Sequence, residues 1–165
     1  MFFWFIATSI WSVWFVFRDP KFDYRLLAIA ALIPDLADGL LRAFGMTQSV
    51  MHSVVTSIAV LFAIMIATAG RRPIRQRLLA IPIGLFMHLI YDGAFAATKT
   101  FWWPLTGTVV DDKSLPSIER GLVNLPLELF GIIACIVAWR YFSLFDTHRR
   151  HTFLKTGSLN REDIR

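Results

Sequence analysis

The sequence has little charge and almost no cysteine. Only 18% of its 165 residues are Asp, Glu, Lys or Arg, whereas 56% are hydrophobic. A water-soluble domain cannot hide so much apolar surface, so this composition excludes an ordinary soluble protein and indicates an integral membrane protein. The single cysteine, Cys135, lies in an apolar run, which excludes a disulfide and a thiolate metal site. We expect Cys135 to pack as a small hydrophobic side chain.

Five apolar runs follow one another along the chain, at residues 2–17, 26–44, 50–69, 78–97 and 122–145. Polar turns separate them, and apolar runs of about 20 residues are typical of membrane-spanning helices. The first run is shorter, so it either crosses a thinned bilayer or lies in the interface, and it lacks the basic start and cleavage site of a signal peptide. The sequence therefore predicts an all-α, polytopic bundle of about five transmembrane helices over residues 1–146, followed by a basic cytoplasmic tail at residues 147–165.

The distribution of Lys and Arg predicts the orientation of this bundle. The turns at 18–25 and 71–77 and the tail contain twelve of these residues, whereas the turns at 45–49 and 98–121 contain three. The positive-inside rule then places the N-terminus outside and the C-terminus in the cytoplasm. Because these turns explain the net charge of +5, we expect membrane lipids as partners, with the tail on anionic headgroups, and no nucleic acid.

Ionisable residues interrupt three of the apolar runs. His88 and Asp92 are four residues apart in the fourth run, so they share one face of a helix. Asp35 and Asp38 interrupt the second run, and His52 lies at the start of the third. An ionisable group inside a membrane is costly unless a partner, a cavity or a metal compensates for the lost water.

These ionisable residues share one predicted depth. At about 1.5 Å per residue, the predicted orientation places them, and Glu128 of the fifth run, in the outer half of the bilayer. Carboxylate and imidazole ligands suit zinc, manganese or iron, and two metals about 3.5–4 Å apart suit phosphoester hydrolysis. We therefore expect one group of ligands for a divalent metal, formed by Asp35, Asp38, His52, His88 and Asp92.

Each of these residues also has a structural interpretation, as a hydrogen-bonded group that joins helices. A proton or ion pathway is a second functional interpretation, but no comparable group continues into the inner half of the bilayer. The structural partners are Arg42 for Asp35 and Asp38, Asp92 for His88, Asn124 for Glu128, and the start of a helix for His52.

The order and spacing of these motifs resemble those of the YdjM-like family of bacterial membrane-bound metal-dependent hydrolases, in its actinobacterial type. The acidic pair here is spaced Asp-x-x-Asp instead of Asp-x-Asp-His, and further histidines of the family are missing. Leu127-Glu128-Leu129 resembles the acidic residue in a late helix of that family. The other matching segments are Pro34-Asp35-Leu36-Ala37-Asp38, His52-Ser53, and His88 to Asp92 followed by Trp102-Trp103-Pro104.

The resemblance implies a metal-dependent hydrolase of the bacterial plasma membrane. Because the family is distantly similar to zinc-dependent phospholipases C, it implies cleavage of a phosphoester, of a lipid-like substrate, at the outer leaflet and with a metal-activated water. Asp92 and Glu128 would be catalytic, Glu128 as the general base or as a further ligand. The alternative is a non-enzymatic carrier or assembly factor in which the same groups form a buried hydrogen-bond network.

Overall fold

The computed structural model describes residues 1–17, 19, 21–44, 50–107 and 120–159. Three segments used above lie wholly or partly outside the described residues, namely the turn at 45–49, residues 108–119 of the loop at 98–121, and residues 160–165 of the tail. The side chain of Arg42 also lies outside the described part, so its predicted pairing with Asp35 and Asp38 stays a prediction.

The described part of the chain is helical and contains no strand, which confirms the all-α prediction for these residues. Short 3-10 turns at Val50–His52, Ala94–Ala96 and Gly121–Val123 link or extend the α-helices. The helices are α1 (Phe2–Phe17), α2 (Tyr24–Ala30), α3 (Ile33–Ala43), α4 (Val54–Ala67), α5 (Arg72–Leu78), α6 (Ala80–Tyr91), α7 (Thr98–Phe101), α8 (Asn124–Tyr141) and α9 (Thr147–Thr156).

Helices α1 and α8 pack side by side and run in the same direction. Glu128, near the start of α8, accepts hydrogen bonds from the first backbone N–H groups of α1. Further along, the indole of Trp11 donates to the carbonyl of Ala134 at 3.1 Å. Gly131 permits this approach, since a Cβ there would collide with the backbone at Trp4. Small residues at such contacts are typical of helix packing in membranes.

Helices α2 and α6 form a second parallel pair. A Cβ at Gly84 would lie 2.6 Å from the Cβ of Ala30 and 2.7 Å from the carbonyl oxygen of Leu27, so glycine lets the two backbones meet. One turn later, the carbonyl of Ala31 lies 2.7 Å from Nδ1 of His88. This pair therefore fixes the position of the last turn of α6.

The second apolar run is not one continuous helix, because the chain turns at Ala31 and Leu32 between α2 and α3. Helix α3 is amphipathic. Asp35 and Asp38 lie on the face toward the bundle, whereas Leu36 and Leu40, at helical spacing from each other, are exposed. The break lets α3 turn its carboxylates toward α4 and α6, whereas a straight helix would continue along the bundle.

The described part of the C-terminal segment is folded onto the bundle. Asp146 caps the start of α9, and Gly157 ends it in the left-handed conformation. The N–H of Tyr24 donates to the carbonyl of Gly157 at 2.9 Å, and Arg25 donates to the carbonyl of Leu154. Leu159 then joins a core cluster that includes Tyr24 and Leu27. Residues 147–159 are thus packed against the turn that precedes α2.

Within the described ranges, one helical segment, Gly121–Tyr141, is long and apolar enough to cross a membrane. Two shorter helices, Phe2–Phe17 and Val54–Ala67, are also apolar.

Candidate metal centre

Four ionisable side chains from three segments meet where α3, α4 and α6 come together. Asp35 lies in the first turn of α3, and His52 lies in the 3-10 turn that precedes α4. His88 lies in the last turn of α6, and Asp92 is the residue that ends this helix. The segments of chain between them are long, so the sequence predicts this meeting only through their shared depth.

The donor atoms form a nearly equilateral triangle. Nε2 of His52 and Nε2 of His88 are 3.3 Å apart. Oδ1 of Asp35 lies 3.4 Å from the first nitrogen and 3.5 Å from the second. The donor atoms of Asp35, His52 and His88 therefore face one small volume. Oδ2 of Asp92 lies beside this triangle, 3.9 Å from Nε2 of His52.

The group is closed to solvent on most sides. The side chains of His52, His88 and Asp92 are at most 1% exposed, whereas the side chain of Asp35 is 37% exposed. Phe5 of α1 covers one face of His88, with ring centroids 4.0 Å apart. Access to the group is therefore on the side of Asp35.

Both imidazole rings are held from behind through Nδ1. Oδ2 of Asp38 lies 2.6 Å from Nδ1 of His52, and the carbonyl oxygen of Ala31 lies 2.7 Å from Nδ1 of His88. A carbonyl oxygen only accepts, and an ionised carboxylate only accepts, so Nδ1 is the donor in both rings. In the neutral form of each ring, Nε2 then presents a lone pair to the centre of the group, as in metal sites whose histidines are oriented by a carboxylate or a carbonyl.

Arg120 holds the fourth side chain. Its guanidinium lies 2.9 Å from Oδ1 of Asp92 and also donates to the backbone carbonyl of that residue. Within the described part of the chain, the buried Oδ2 atom of Asp92 accepts no hydrogen bond. Because a buried carboxylate oxygen is costly without a partner, Oδ2 has the position expected of a ligand atom.

The local backbone explains why these side chains converge. Helix α6 ends at Asp92 because Gly93 takes a left-handed conformation, with φ of 68°, which breaks the predicted run at 78–97. Ser53 caps α4 by accepting from the N–H of Val55, and its hydroxyl donates to the carbonyls of Phe101 and Trp103. The His52-Ser53 motif is thereby fixed to the Trp102-Trp103-Pro104 segment.

The structure gives two predicted site residues other places. Asp38 lies behind the ring of His52, on the side away from Nε2, in the position of a group that orients the ring. Glu128 accepts from the N–H groups of Phe2, Phe3 and Trp4 at the start of α1. The predicted depths do not indicate the direction in which each of these side chains points.

Three contributors to the site are missing from the sequence analysis. Arg120 has a signal that could have found it, since a charged residue directly before an apolar run is a natural partner for a buried acid. The aromatic ring of Phe5 and the carbonyl of Ala31 have no such signal, because any apolar helix supplies rings and carbonyls.

No protein-family model, curated protein or solved structure matches this chain. The resemblance to the YdjM-like family therefore stays a prediction from the motifs.

Proposed function

We propose that this chain is a polytopic membrane protein whose buried group of Asp35, His52, His88 and Asp92 binds a divalent metal, and that it hydrolyses a phosphoester. The observation behind this proposal is the convergence of one donor atom each from Asp35, His52 and His88 on one small volume, with Oδ2 of Asp92 3.9 Å from Nε2 of His52.

The apolar surface supports the membrane location. Large hydrophobic side chains are exposed along most of the helices, and such extended apolar surface is rare in a soluble monomer. The parallel pairs α1 with α8 and α2 with α6 also agree with a chain that crosses back and forth, since first and fifth crossings, and second and fourth, must run in the same direction. Examples of the exposed side chains are Phe15, Phe62, Ile66, Leu125, Phe130, Ile133 and Ile136.

The two histidines and Asp35 call for positive charge between them, which a bound metal or a proton on Nε2 can supply. With both rings neutral and both Nδ1 atoms donating, two imidazole lone pairs and an oxygen of Asp35 face each other at 3.3–3.5 Å, which is repulsive without a cation. Zinc bonds of 2.0–2.1 Å at tetrahedral angles place ligand atoms roughly 3.3–3.4 Å apart. The separations therefore fit zinc, and the mixed nitrogen and oxygen donors also suit manganese or iron.

The donor set also supports hydrolysis. Three protein ligands, as in the triangle of Asp35, His52 and His88, leave a coordination position open on a tetrahedral metal, and Asp35 is the partly exposed one among them. A bound divalent metal would supply Lewis acidity toward a phosphoryl oxygen and would activate a water. Asp38, Ala31 and Arg120 hold the ligands in position, so the site needs little rearrangement when it is loaded.

A carrier or assembly factor with a hydrogen-bond network is the second candidate, and one observation favours it. A proton on Nε2 of His52 would lie within reach of Asp35 and Asp92 and would also balance the facing lone pairs. In that case the group joins helices and binds no metal.

Metal content decides between the two candidates. We expect about one divalent metal per chain in detergent-purified protein, removable by a chelator. Asp35→Asn and His88→Ala should each reduce this content strongly, and the double variant should lose no more than the more severe single variant, because both changes empty one site. His148→Ala, at an exposed histidine of α9, is the matched control and should retain the metal.

Two results would remove the hydrolase proposal. One is a wild-type protein that never contains metal, even after growth and purification with added zinc, manganese or iron. The other is unchanged metal content in both single variants. Where metal is present, hydrolysis of a chromogenic phosphodiester, lost in His88→Ala and retained in His148→Ala, tests the reaction itself.

A further inference from the structure

A groove with a volume of about 430 Å³ lies between α1, the end of α6 and α8. Its walls include Thr8 and Trp11 of α1, Tyr91 of α6, and Ile133 and Val137 of α8. The stretch of α8 that lines it, from residue 130 to 137, rises by about 10 Å. Ile133 and Val137 are half exposed, so the groove opens sideways toward the surroundings of the bundle.

The polar groups in the wall of the groove are already bonded within the protein. The hydroxyl of Thr8 donates to the carbonyl of Trp4 at 2.6 Å, and the indole of Trp11 donates to the carbonyl of Ala134. The hydroxyls of Ser12 and Tyr91 bond to each other. What the groove offers to an occupant is therefore apolar surface, which selects a hydrocarbon chain.

Tyr91 also lines a second, more polar cavity on the side of the metal centre. This cavity has a volume of about 450 Å³, and its walls include Asp92, Gly93 and Arg120. One side chain thus separates an apolar groove from a cavity that contains a guanidinium and one of the candidate metal ligands. An apolar compartment next to a charged one, with Tyr91 in the wall of both, is the arrangement that fits an amphiphile.

We infer that the groove holds one acyl chain of a membrane phospholipid whose phosphate lies in the cavity beside Asp92 and Arg120. This inference rests on the proposed function and names its substrate class, a phospholipid that enters sideways from the bilayer. Tyr91 is the boundary between chain and headgroup. The polar cavity, and not the groove, is where the anionic phosphate is placed, because the guanidinium of Arg120 lines it.

Photo-crosslinking in nanodiscs tests the inference without requiring catalysis. The probe is phosphatidylglycerol with a diazirine in one acyl chain, present as a minor component in phosphatidylcholine. We expect labelling of the α1 and α8 segments that line the groove. Diacylglycerol with the same diazirine chain is the probe without phosphate, and we expect it to label these segments more weakly.

Two substitutions on one helix provide the matched comparison. Ile133 and Ile136 are 52% and 55% exposed on α8, but only Ile133 lines the groove. Ile133→Trp should fill the mouth of the groove and reduce labelling by at least about fivefold, since it displaces one or two buried methylenes. Ile136→Trp adds the same bulk to the lipid-facing side and should leave labelling unchanged. Both side chains are about half exposed, so neither substitution should overpack the core.

Equal labelling in the two variants, or crosslinks spread evenly around α8, would show annular lipid only and would overturn the inference. Equal labelling by the two probes would show that the phosphate does not contribute to binding, and the assignment of the phosphate to the polar cavity would then be wrong. These results are separate from metal content, so the groove can fail while the metal centre stands. If the protein contains no metal but the groove is still labelled specifically, the groove is a lipid-binding site and not a substrate site.

Discussion

The two ends of the bundle bury opposite kinds of side chain. At one end, three ionisable side chains, His52, His88 and Asp92, are almost completely enclosed. At the other end, Leu159 is 4% exposed and packs with Tyr24 and Leu27 in an apolar cluster. The first end buries a group of ionisable side chains, whereas the second buries mainly apolar side chains around one carboxylate, that of Asp23.

The difference lies in how each end compensates for its buried charge. At the C-terminal end, the carboxylate of Asp23 accepts from the side chain of Arg25 and from the N–H of Leu26, so its charge is balanced locally. At the candidate metal centre, Arg120 balances Asp92, whereas Asp35 and Asp38 face the two histidines. The charge of Asp23 is thus balanced by an arginine beside it, whereas the balance at the other end depends on the protonation of the histidines or on the metal that we propose. The predictions below test this contrast, starting with the largest expected effect.

The first prediction is that each end can be broken without the other. His52→Ala should abolish metal binding while the protein stays folded, because it removes a ligand and costs only about the 1–3 kcal/mol of one orphaned buried partner, Asp38. Leu159→Asp should lower the free energy of unfolding by about 2–5 kcal/mol, since it places a charge in an apolar core, and should leave metal content in the folded fraction unchanged. Metal analysis and thermal unfolding in detergent measure the two effects.

Exposed residues of the same types provide the controls. His148→Ala should retain the metal, and Leu154→Asp, at a side chain 62% exposed on α9, should have little effect on stability. If Leu159→Asp removed the metal, or if His52→Ala unfolded the protein, the two ends would be one cooperative unit and the contrast would be wrong.

The sequence predicts those parts of the arrangement that depend on continuous segments, and it does not predict those that depend on the direction of single side chains. Apolar runs predict where helices occur, and charge in the turns predicts which helices run in the same direction, because both are properties of continuous segments. Depth follows from counting residues, and it brought Asp35, His52, His88 and Asp92 to one level. Counting does not give the direction of a side chain around its helix, and for that reason Asp38 was predicted as a ligand and lies behind His52.

The C-terminal segment shows a second limit. Its composition is basic, and basic residues after a last helix predict a tail on the membrane surface. The packing of Leu159 depends on a cluster assembled from α1, α2, α6 and α8, which no local pattern reveals. An apolar residue beyond a glycine that ends a helix was the available signal.

The second prediction concerns the contact that joins the two ends. Gly84→Ala would push Ala30 and Leu27 away from α6 and should cost about 1–3 kcal/mol of stability through overpacking. Because Ala31 follows directly and holds His88, the same change should also weaken metal binding. Gly39→Ala is the control, since a Cβ there meets nothing within 4 Å. A destabilised Gly84→Ala protein with unchanged metal affinity would show that the helix contact and the site are independent.

The third prediction separates orienting groups from ligands. Asp38→Ala removes the acceptor behind His52 and should weaken metal binding by about 10–100-fold, without abolishing it. Asp38→Asn should have a smaller effect, because its amide oxygen still accepts from Nδ1. Titration of the apo protein with zinc measures both. If Asp38→Ala lost the metal as completely as His52→Ala, Asp38 would be a ligand, as the sequence predicts.

The last prediction is that the C-terminal end loosens in acid through Asp23. Burial raises the pKa of this carboxyl. The hydrogen bonds from Arg25 and Leu26, together with the charge of Arg25, lower the pKa by more than burial raises it, so the pKa lies below its usual range. A carboxyl whose pKa is lowered by folding stabilises the fold above its unfolded pKa of about 4, and this contribution is lost as the pH falls through the folded pKa. The carboxylate lies against Gly157, at the end of α9, so the segment at residues 147–159 should detach first.

Hydrogen exchange of residues 147–159, corrected for the intrinsic rate, should accelerate below about pH 4, by at most about tenfold per unit of pKa difference. Asp23→Asn should exchange faster at neutral pH and lose the acid dependence, whereas Asp19→Asn, at a carboxylate that bonds locally to the N–H of Lys21, should behave as wild type. Acid acceleration that persists in Asp23→Asn would assign the effect to another group and leave the local balance of charge at this end unsupported.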